Sequence, residues 1–256
     1  MRRGIRLLLA ALLSAVPLAP AGAETLIAAL STHRIAIASN YTGDQLTVFG
    51  LVERDGRSVA RGDPYAIVVT VRGPQRMLIV REKERVGPIW INRSQRRFPD
   101  RSVYLSVSTS RPINEILSEV AARRDRIGLA NAQRSQAGFD FDFDLGRYRE
   151  ALIRILEGKQ LYSLDERGVT FLSPALFSAP IKVPATAPTG PYEVEILLYS
   201  GGVVLARQTT NFEVVKTGIE QSLASAAHDR PFVYGLATAA LALLFGWLAT
   251  VIFRRD

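Results

Sequence analysis

Three aspartates occupy alternate positions in the stretch GFDFDFDLG, residues 138–146: Asp140, Asp142 and Asp144. In an extended strand their carboxylates would share one face, and the phenylalanines between them would share the other. A Ca²⁺ site needs six to eight oxygens around the ion, whereas a straight strand offers only a line of carboxylates. We therefore favour an edge strand with outward aspartates over a cation site, or, for Asp144, the start of the helix that follows.

A basic stretch runs from Arg72 to Arg101 and holds nine arginines and lysines against three acidic residues, a net charge of +6. Such a stretch could bind anionic lipid head groups, an acidic protein partner or small anions. The alternative is an ordinary solvated strand face with its loops. The residues assigned to this candidate anion or partner patch are Arg72, Arg76, Arg81, Arg93, Arg96, Arg97 and Arg101.

Residue patterns for catalysis or metal binding are missing from the sequence. His33 and His228 are the only histidines and there is no cysteine, so the usual ligand sets for zinc or iron cannot be assembled. No serine stands in an elbow motif with a histidine partner, and no glycine-rich phosphate loop is present. We therefore predict no catalytic, cofactor-binding or metal-binding residues, no cofactor and no enzymatic activity.

The N-terminal segment, residues 1–23, has the pattern of a cleaved signal peptide. A basic start with Arg2, Arg3 and Arg6 precedes a short apolar run, and the small residues Ala-Gly-Ala end the segment before Glu24. The alternative is an uncleaved N-terminal anchor. Without cysteine, the exported part must be stabilised by its core and not by disulfides.

The C-terminal apolar run, residues 232–253, contains no charge and would form a helix about 33 Å long, enough to cross the hydrocarbon core. A buried core helix is the alternative, but the run has no polar stripe that could face water. Arg254 and Arg255 follow, and the positive-inside rule places the tail, residues 254–256, in the cytoplasm. This predicts a single-pass protein whose folded part lies outside the cytoplasm.

The net charge argues against a nucleic-acid partner. The formal charge of the 256 residues is +8. Without the three arginines of the signal it is +5, and the tail supplies +1 of that, so the exported part carries about +4. This is a mild excess for a segment of that length, and we expect no nucleic-acid binding.

A stripe of small residues lies along one face of the predicted membrane helix. Its members recur every four residues, and Gly235 and Ala239 form a second small pair beside it. Such stripes let two helices approach closely in lipid, although alanine and glycine are also common there by chance. The residues of this predicted packing stripe are Thr238, Ala242, Gly246 and Thr250, and the expected partner is another membrane protein or a second copy of the chain.

The stretch between the two ends is predicted to be mainly β. Short alternating or β-branched runs separated by turn signals predict strands, and two stretches with helical spacing, residues 111–133 and 146–159, interrupt them. Gly128 is expected to end or interrupt the first of these helices. The predicted strands are residues 33–39, 45–53, 65–72, 76–83, 102–110, 168–173, 176–184, 192–199 and 203–215. The domains that follow are a β lobe (24–110), a two-helix insert (111–160), a second β lobe (161–217) and a juxtamembrane segment (218–231).

The last two predicted strands resemble the final hairpin of an immunoglobulin-like β-sandwich. Tyr192 stands at the start of the first of them, where a tyrosine corner would bond its hydroxyl to the backbone upstream. The fold class is therefore predicted as immunoglobulin-like β-sandwich lobes with a two-helix insert and one C-terminal transmembrane helix. The sequence leaves open whether the two lobes form one sandwich or two.

Three long stretches resemble the putative transmembrane protein family of alphaproteobacteria: residues 30–50, 171–199 and 234–256. The resemblance covers nearly the whole mature chain. It implies a bacterial inner-membrane protein with a periplasmic domain, in a family of unknown function, and it suggests a link to permeases similar to sulfite exporters. It implies no catalytic residues, because none is established for the family.

These observations favour an accessory or interaction subunit of a membrane complex, with a transport complex as the candidate. The expected partners are another membrane protein or a second copy, and the lipid bilayer. The alternatives are a periplasmic module that binds a small anion through the arginine-rich stretch and an enzyme of a type not recognised in the sequence.

Overall fold

The computed structural model describes residues 24–37, 43–54, 63–133, 143–216 and 227–252. The predicted signal peptide, Asp140, Asp142 and the predicted cytoplasmic tail lie outside these residues. The first strands are β1 (Glu24–Leu30), β2 (Arg34–Ile37), β3 (Asp44–Arg54), β4 (Ala66–Arg72), β5 (Gln75–Val86), β6 (Ile89–Ser102) and β7 (Leu105–Thr109).

Among the described residues, four helices interrupt the strands, which then resume before a last helix. The helices are α1 (Ile113–Ile116), α2 (Glu119–Arg124), α3 (Leu129–Ala132) and α4 (Phe143–Gly158). The later strands are β8 (Tyr162–Asp165), β9 (Thr170–Phe171), β10 (Leu176–Val183), β11 (Gly190–Ser200) and β12 (Val203–Lys216), and helix α5 (Pro231–Ile252) follows them. The expectation of a mainly β protein with one C-terminal apolar helix is confirmed.

The described strands form two larger sheets and one separate hairpin. The first sheet has the order β1-β3-β10-β9, the second has the order β2-β12-β11-β4-β7-β8, and β5 pairs only with β6. Strands from residues 24–110 and from residues 161–217 stand side by side in both larger sheets. The two lobes that the sequence analysis separates therefore build the same pair of sheets, around one shared core.

The central strands owe their position to continuous apolar runs. Every residue of β4 before Arg72 is buried, as is every residue of β11 from Val194 onwards, and a strand buried on both faces belongs in the middle of a sheet. In β1, by contrast, Leu26 and Leu30 are buried while Ile27 is half exposed, which suits an edge strand. The Tyr104 hydroxyl donates to the carbonyl of Lys182 on β10 at 2.7 Å and so connects the two layers.

Several predicted elements differ from the observed ones. Strands β1, β6 and β8 were not expected, and the helix expected from Ile113 onwards is broken into α1, α2 and α3. The breaks have local causes. Leu117 has an extended backbone, and the Ser118 hydroxyl caps the start of α2 by accepting a hydrogen bond from the Ala121 amide. Gly128 precedes α3 and has a positive φ of 89°. The helix expected at residues 146–159 is present as α4.

The edge strand expected at residues 138–146 is wrong at its C-terminal end. Helix α4 begins at Phe143, so Asp144 lies in a first helical turn and not in a strand. For Asp144, the sequence analysis named the start of this helix as the alternative.

Candidate interaction surfaces

The hairpin of β5 and β6 is the longest element that stands outside the two larger sheets. Its strands are antiparallel from Gln75 opposite Ser102 to Val86 opposite Ile89. A two-residue turn of Gly87 and Pro88 connects them, and Gly87 has a φ of 62°. Glycine at a positive φ followed by a residue with fixed negative φ matches the type II′ turn that suits tight hairpins.

Helix α4 holds the lower part of this hairpin. Val80 and Phe98 are buried on the hairpin face that meets the helix, and Tyr148 of α4 is buried with them. The Tyr148 hydroxyl donates to Glu82 Oε2 at 2.8 Å and lies 2.5 Å from the Ser94 hydroxyl. An isolated two-stranded hairpin is marginal in water, so this contact stabilises the projecting strands.

Charges surround the Tyr148 contact. The guanidinium carbons of Arg96 and Arg147 each lie 5.6 Å from the centre of the Tyr148 ring, within cation–π range. Arg147 also reaches Glu82 at 3.4 Å. The pKa of the Glu82 carboxyl is lowered, first by the hydrogen bond from Tyr148 and then, to a smaller extent, by the hydrogen bond from Ser94 and the charge of Arg147. The contact therefore favours the ionised carboxylate.

The upper part of the hairpin is exposed on both strands. Large apolar side chains cluster around the turn, with exposed fractions of 47% for Val86, 59% for Ile89, 65% for Trp90 and 40% for Ile91. We call Val86–Ile91 the hairpin tip. The sequence analysis considered only the charges of this stretch, although the run VGPIWI already signals an apolar segment around a turn.

The arginines of the predicted patch are spread along the hairpin and do not converge on one pocket. Arg76 and Arg101 face each other across the strands near the base, Arg97 and Arg81 lie on the middle part, and the Arg93 guanidinium pairs with Glu84 at 2.8 Å. Arg96 contacts the Tyr148 ring as described. The side chains of Arg81, Lys83 and Arg97 make no ion pair with any described residue.

Arg72 belongs to a different environment. It lies in β4 and donates to Glu195 Oε2 of β11 at 2.7 Å, while Arg207 of β12 lies 3.4 Å from the other oxygen of that carboxylate. Three neighbouring strands are thereby connected through one glutamate. The guanidinium of Arg72 is largely covered, so it neutralises Glu195 in the sheet and contributes little to the hairpin surface.

A second charged contact was not anticipated from the sequence. Asp125, which ends helix α2, accepts hydrogen bonds from the Arg124 guanidinium at 2.9 Å and from the Tyr199 hydroxyl of β11 at 2.9 Å. These bonds lower the pKa of Asp125, and burial raises the pKa of Tyr199. The contact fastens the short helices to the sheet, and no spacing in the sequence indicates it because the two residues are far apart along the chain.

Helix α5 carries the predicted packing stripe. Its members Thr238 and Thr250 donate their hydroxyls to backbone carbonyls one turn earlier, at 3.0 and 2.9 Å, so these polar groups are satisfied inside the helix. A side-chain carbon added at Gly246 would meet nothing within 4 Å. The stripe is therefore a shallow, apolar face that a second helix could approach closely.

The described residues contain open grooves but no recognisable chemical centre. A groove of about 850 Å³ lies between the edge strand β8 and the ends of β3 and β10, and its lining includes Ser106, Asp165 and Lys182. Its lining carries both signs of charge, and we assign no ligand to it. Within the described ranges no three His, Cys, Asp or Glu side chains are arranged to hold a metal ion.

The family model described as putative transmembrane protein (Alph_Pro_TM) matches residues 25–255, which is nearly the entire chain. No curated protein matches the sequence. In the part of the chain that the structure describes, α5 alone is long and apolar enough to cross a bilayer, and none of its residues is buried against the rest of the protein.

Proposed function

With the chain established as a member of this putative transmembrane protein family, we propose that it is an accessory or interaction subunit of a membrane complex, and not an enzyme. A transport complex is the candidate. The protein is a single-pass membrane protein, and α5 is its anchor. Its partner in the bilayer is another membrane protein or a second copy of the chain.

The observation that carries this proposal is the surface of α5. The helix has no charged residue, its threonine hydroxyls are bonded internally, and Gly246 leaves open space in the middle of the small-residue stripe. A helix that served only as a tether would need no face of this kind. Close helix approach gives dispersion contacts, which drive association in lipid where the hydrophobic effect is absent.

The proposed location is the bacterial inner membrane, with the β domain in the periplasm and the C-terminus in the cytoplasm. The basic pair Arg254 and Arg255 after the anchor supports this orientation through the positive-inside rule. The signal-like segment, residues 1–23, supports export of the domain. The mildly basic, cysteine-free domain is compatible with that compartment.

We further propose that the domain is an immunoglobulin-like sandwich. The order β1-β3-β10-β9 corresponds to strands A, B, E and D of that fold, and β12-β11-β4 correspond to G, F and C. The Tyr192 hydroxyl at the start of β11 donates to the carbonyl of Pro188, four residues upstream, at 2.6 Å. This is the hydrogen bond of a tyrosine corner, which supports the assignment.

Crosslinking in native membranes tests the accessory role. Gly246→Leu should remove the crosslinked species of the full-length protein, because a branched side chain separates backbones that glycine allows to touch. Insertion should stay normal, since leucine is favourable at membrane depth. Trp247→Leu, on the neighbouring face, is the matched control and should keep those species. If Gly246→Leu retains every crosslink of the wild type, α5 is only a tether and the proposal fails.

A further inference from the structure

The hairpin tip exposes apolar side chains on both of its faces. Directly paired residues share a face, and Trp90 is paired with Arg85, whereas Ile89 is paired with Val86 and Ile91 with Glu84. Because successive residues of a strand alternate, Trp90 projects to one side and the two isoleucines to the other. A surface that docks flat on a protein needs one apolar face. A tip that is apolar on both sides suits entry end-on into an apolar medium.

Basic side chains lie just below this tip, and three of them (Arg81, Lys83 and Arg85) share the face of Trp90; we call the basic residues of this part of the hairpin the basic collar. Residues 81–97 contain six arginines and lysines against two glutamates, a net charge of +4. Arg85 donates from Nε to the carbonyl of Gly87 at 3.0 Å, which holds its guanidinium beside the turn. Lys83 and Arg81 lie two and four residues before Arg85 in β5, and neither side chain forms an ion pair with a described acidic residue. An apolar tip with a basic collar matches a bilayer interface with anionic head groups.

The hairpin starts at the end of the domain from which the chain continues to its anchor. Strands β4 and β12 are both antiparallel to β11, so they run in the same direction and finish at the same end of the sheet. The hairpin follows β4 after Gly73 and Pro74, and β12 finishes at Lys216. A side-chain carbon added at Gly190, which opens β11, would lie 3.2 Å from the Pro74 ring, so the two residues are neighbours at that end.

The connection to the anchor keeps the tip within reach of the membrane. Fourteen residues, 217–230, lie between Lys216 and Pro231, and a chain of that length spans at most about 50 Å. The twelve residues of β5 extend the hairpin by about 40 Å from its base. The domain therefore stays near the bilayer surface, and the hairpin is long enough to touch it.

From these four relationships we propose that the hairpin tip inserts into the interface of the membrane that holds α5, with its basic collar on anionic phospholipid head groups. Trp90 lies at the head-group level, where the amphipathic indole ring is favoured. The hairpin is then a second attachment that fixes the orientation of the domain on the bilayer. This inference rests on the membrane anchor and is independent of the accessory role.

Tryptophan fluorescence of the full-length protein in vesicles tests the insertion. Trp90 and Trp247 are the two tryptophans of the chain, so Trp247→Phe leaves Trp90 as the only reporter. In vesicles of phosphatidylglycerol and phosphatidylcholine, the emission should shift to the blue and brominated lipids should quench it. In vesicles of phosphatidylcholine alone, or at high salt, the shift should be lost because the head-group attraction is electrostatic.

Two variants separate insertion from general proximity. Arg81→Glu combined with Lys83→Glu reverses the charge of the collar and should abolish the blue shift. Leu172→Trp, in a background of Trp90→Phe and Trp247→Phe, places the reporter on an exposed turn before β10 and should stay accessible to iodide. If that turn shifts as Trp90 does, the whole domain lies on the lipid and the proposal is overturned.

A protein occupant gives a different result. If Trp90 is shielded in native membranes but remains accessible to iodide in anionic vesicles, a protein partner covers the tip and the lipid proposal is wrong. Accessibility to iodide in every membrane would also overturn it. The salt comparison uses the unchanged hairpin, so a folding defect in the charge-reversal variant cannot imitate these outcomes.

Discussion

The Tyr148 hydroxyl donates a hydrogen bond of 2.8 Å to the Glu82 carboxylate, and this bond joins helix α4 to the projecting hairpin. The two residues come from segments that the sequence analysis treated separately, one in the helical insert and one in the basic stretch. Ser94 and Arg147 complete the contact around the same carboxylate. The helical segment therefore serves as a support for the hairpin and not only as an insert between strands.

Tyr148→Phe should loosen the hairpin without unfolding the domain. The ring stays buried, but the donor to Glu82 is lost and the carboxylate keeps only weaker partners. We expect faster amide hydrogen exchange in β5 and β6 near the contact, with the exchange of β4 and β11 unchanged. Glu84→Gln is the control, because it breaks only the exposed Arg93 pair. Equal exchange in Tyr148→Phe and wild type would show that the hydroxyl does not hold the hairpin.

Acid should weaken the same contact. The pKa of Glu82 is lowered in the folded protein, so the contact contributes stability above the pKa of a free glutamate, about 4.3, and loses it as the pH falls through the lower folded value. Hydroxyl-radical oxidation of the buried Phe98 should therefore rise in that acidic range. Glu82→Gln should make this oxidation independent of pH there. A wild-type profile that matches that of the variant would contradict the assignment.

Gly50→Ala should destabilise the first sheet. Gly50 of β3 faces Phe177 of β10, and an added methyl group would overlap the fully buried Phe177 ring. Overpacking of this kind costs about 1–3 kcal/mol, and each kcal/mol lowers the melting temperature by about 2–4 °C. Gly146→Ala is the matched control in helix α4, where the methyl group meets nothing within 4 Å. It should stabilise by about 0.5–1 kcal/mol, through helix propensity.

Reporter fusions should establish the proposed orientation. A reporter that is active only in the periplasm should work when fused after Lys216, at the end of β12, and should fail when fused after Asp256. The reason is that α5 stops transfer and Arg254 and Arg255 stay on the cytoplasmic side. Activity of the Asp256 fusion would rule out the single-pass orientation. A reporter specific for the cytoplasm should give the reverse pattern.

Elements with a strong local pattern could be predicted from the sequence. The β-branched run of β4, the alternation in β10 and the uncharged length of α5 each determine their structure locally, and all three were expected close to their observed bounds. The helix α4 was expected for the same reason. Its apolar residues Tyr148, Leu152 and Leu156 recur at helical spacing and are buried.

Elements that depend on a distant partner could not be predicted. Strand β6 contains four arginines and Pro99 and has no alternation, and it is a strand because β5 pairs along its entire length. No local sequence pattern indicates that strands from the beginning and from the end of the domain lie next to each other in both sheets. The basic patch was identified from charge counts, which could not show that Arg72 is neutralised by Glu195 or that the apolar tip dominates the exposed hairpin.

The parallel pairing of β2 with β12 brings the beginning and the end of the domain into one sheet. A chain that is made from its N-terminus can complete that sheet only after its last strand has emerged, and fourteen residues later the anchor follows. During most of the synthesis, β2 therefore lacks the strand with which it finally pairs. Pairings between strands so far apart in the sequence also form slowly. The second sheet can therefore be completed only late in synthesis, when α5 is the next described helix to emerge.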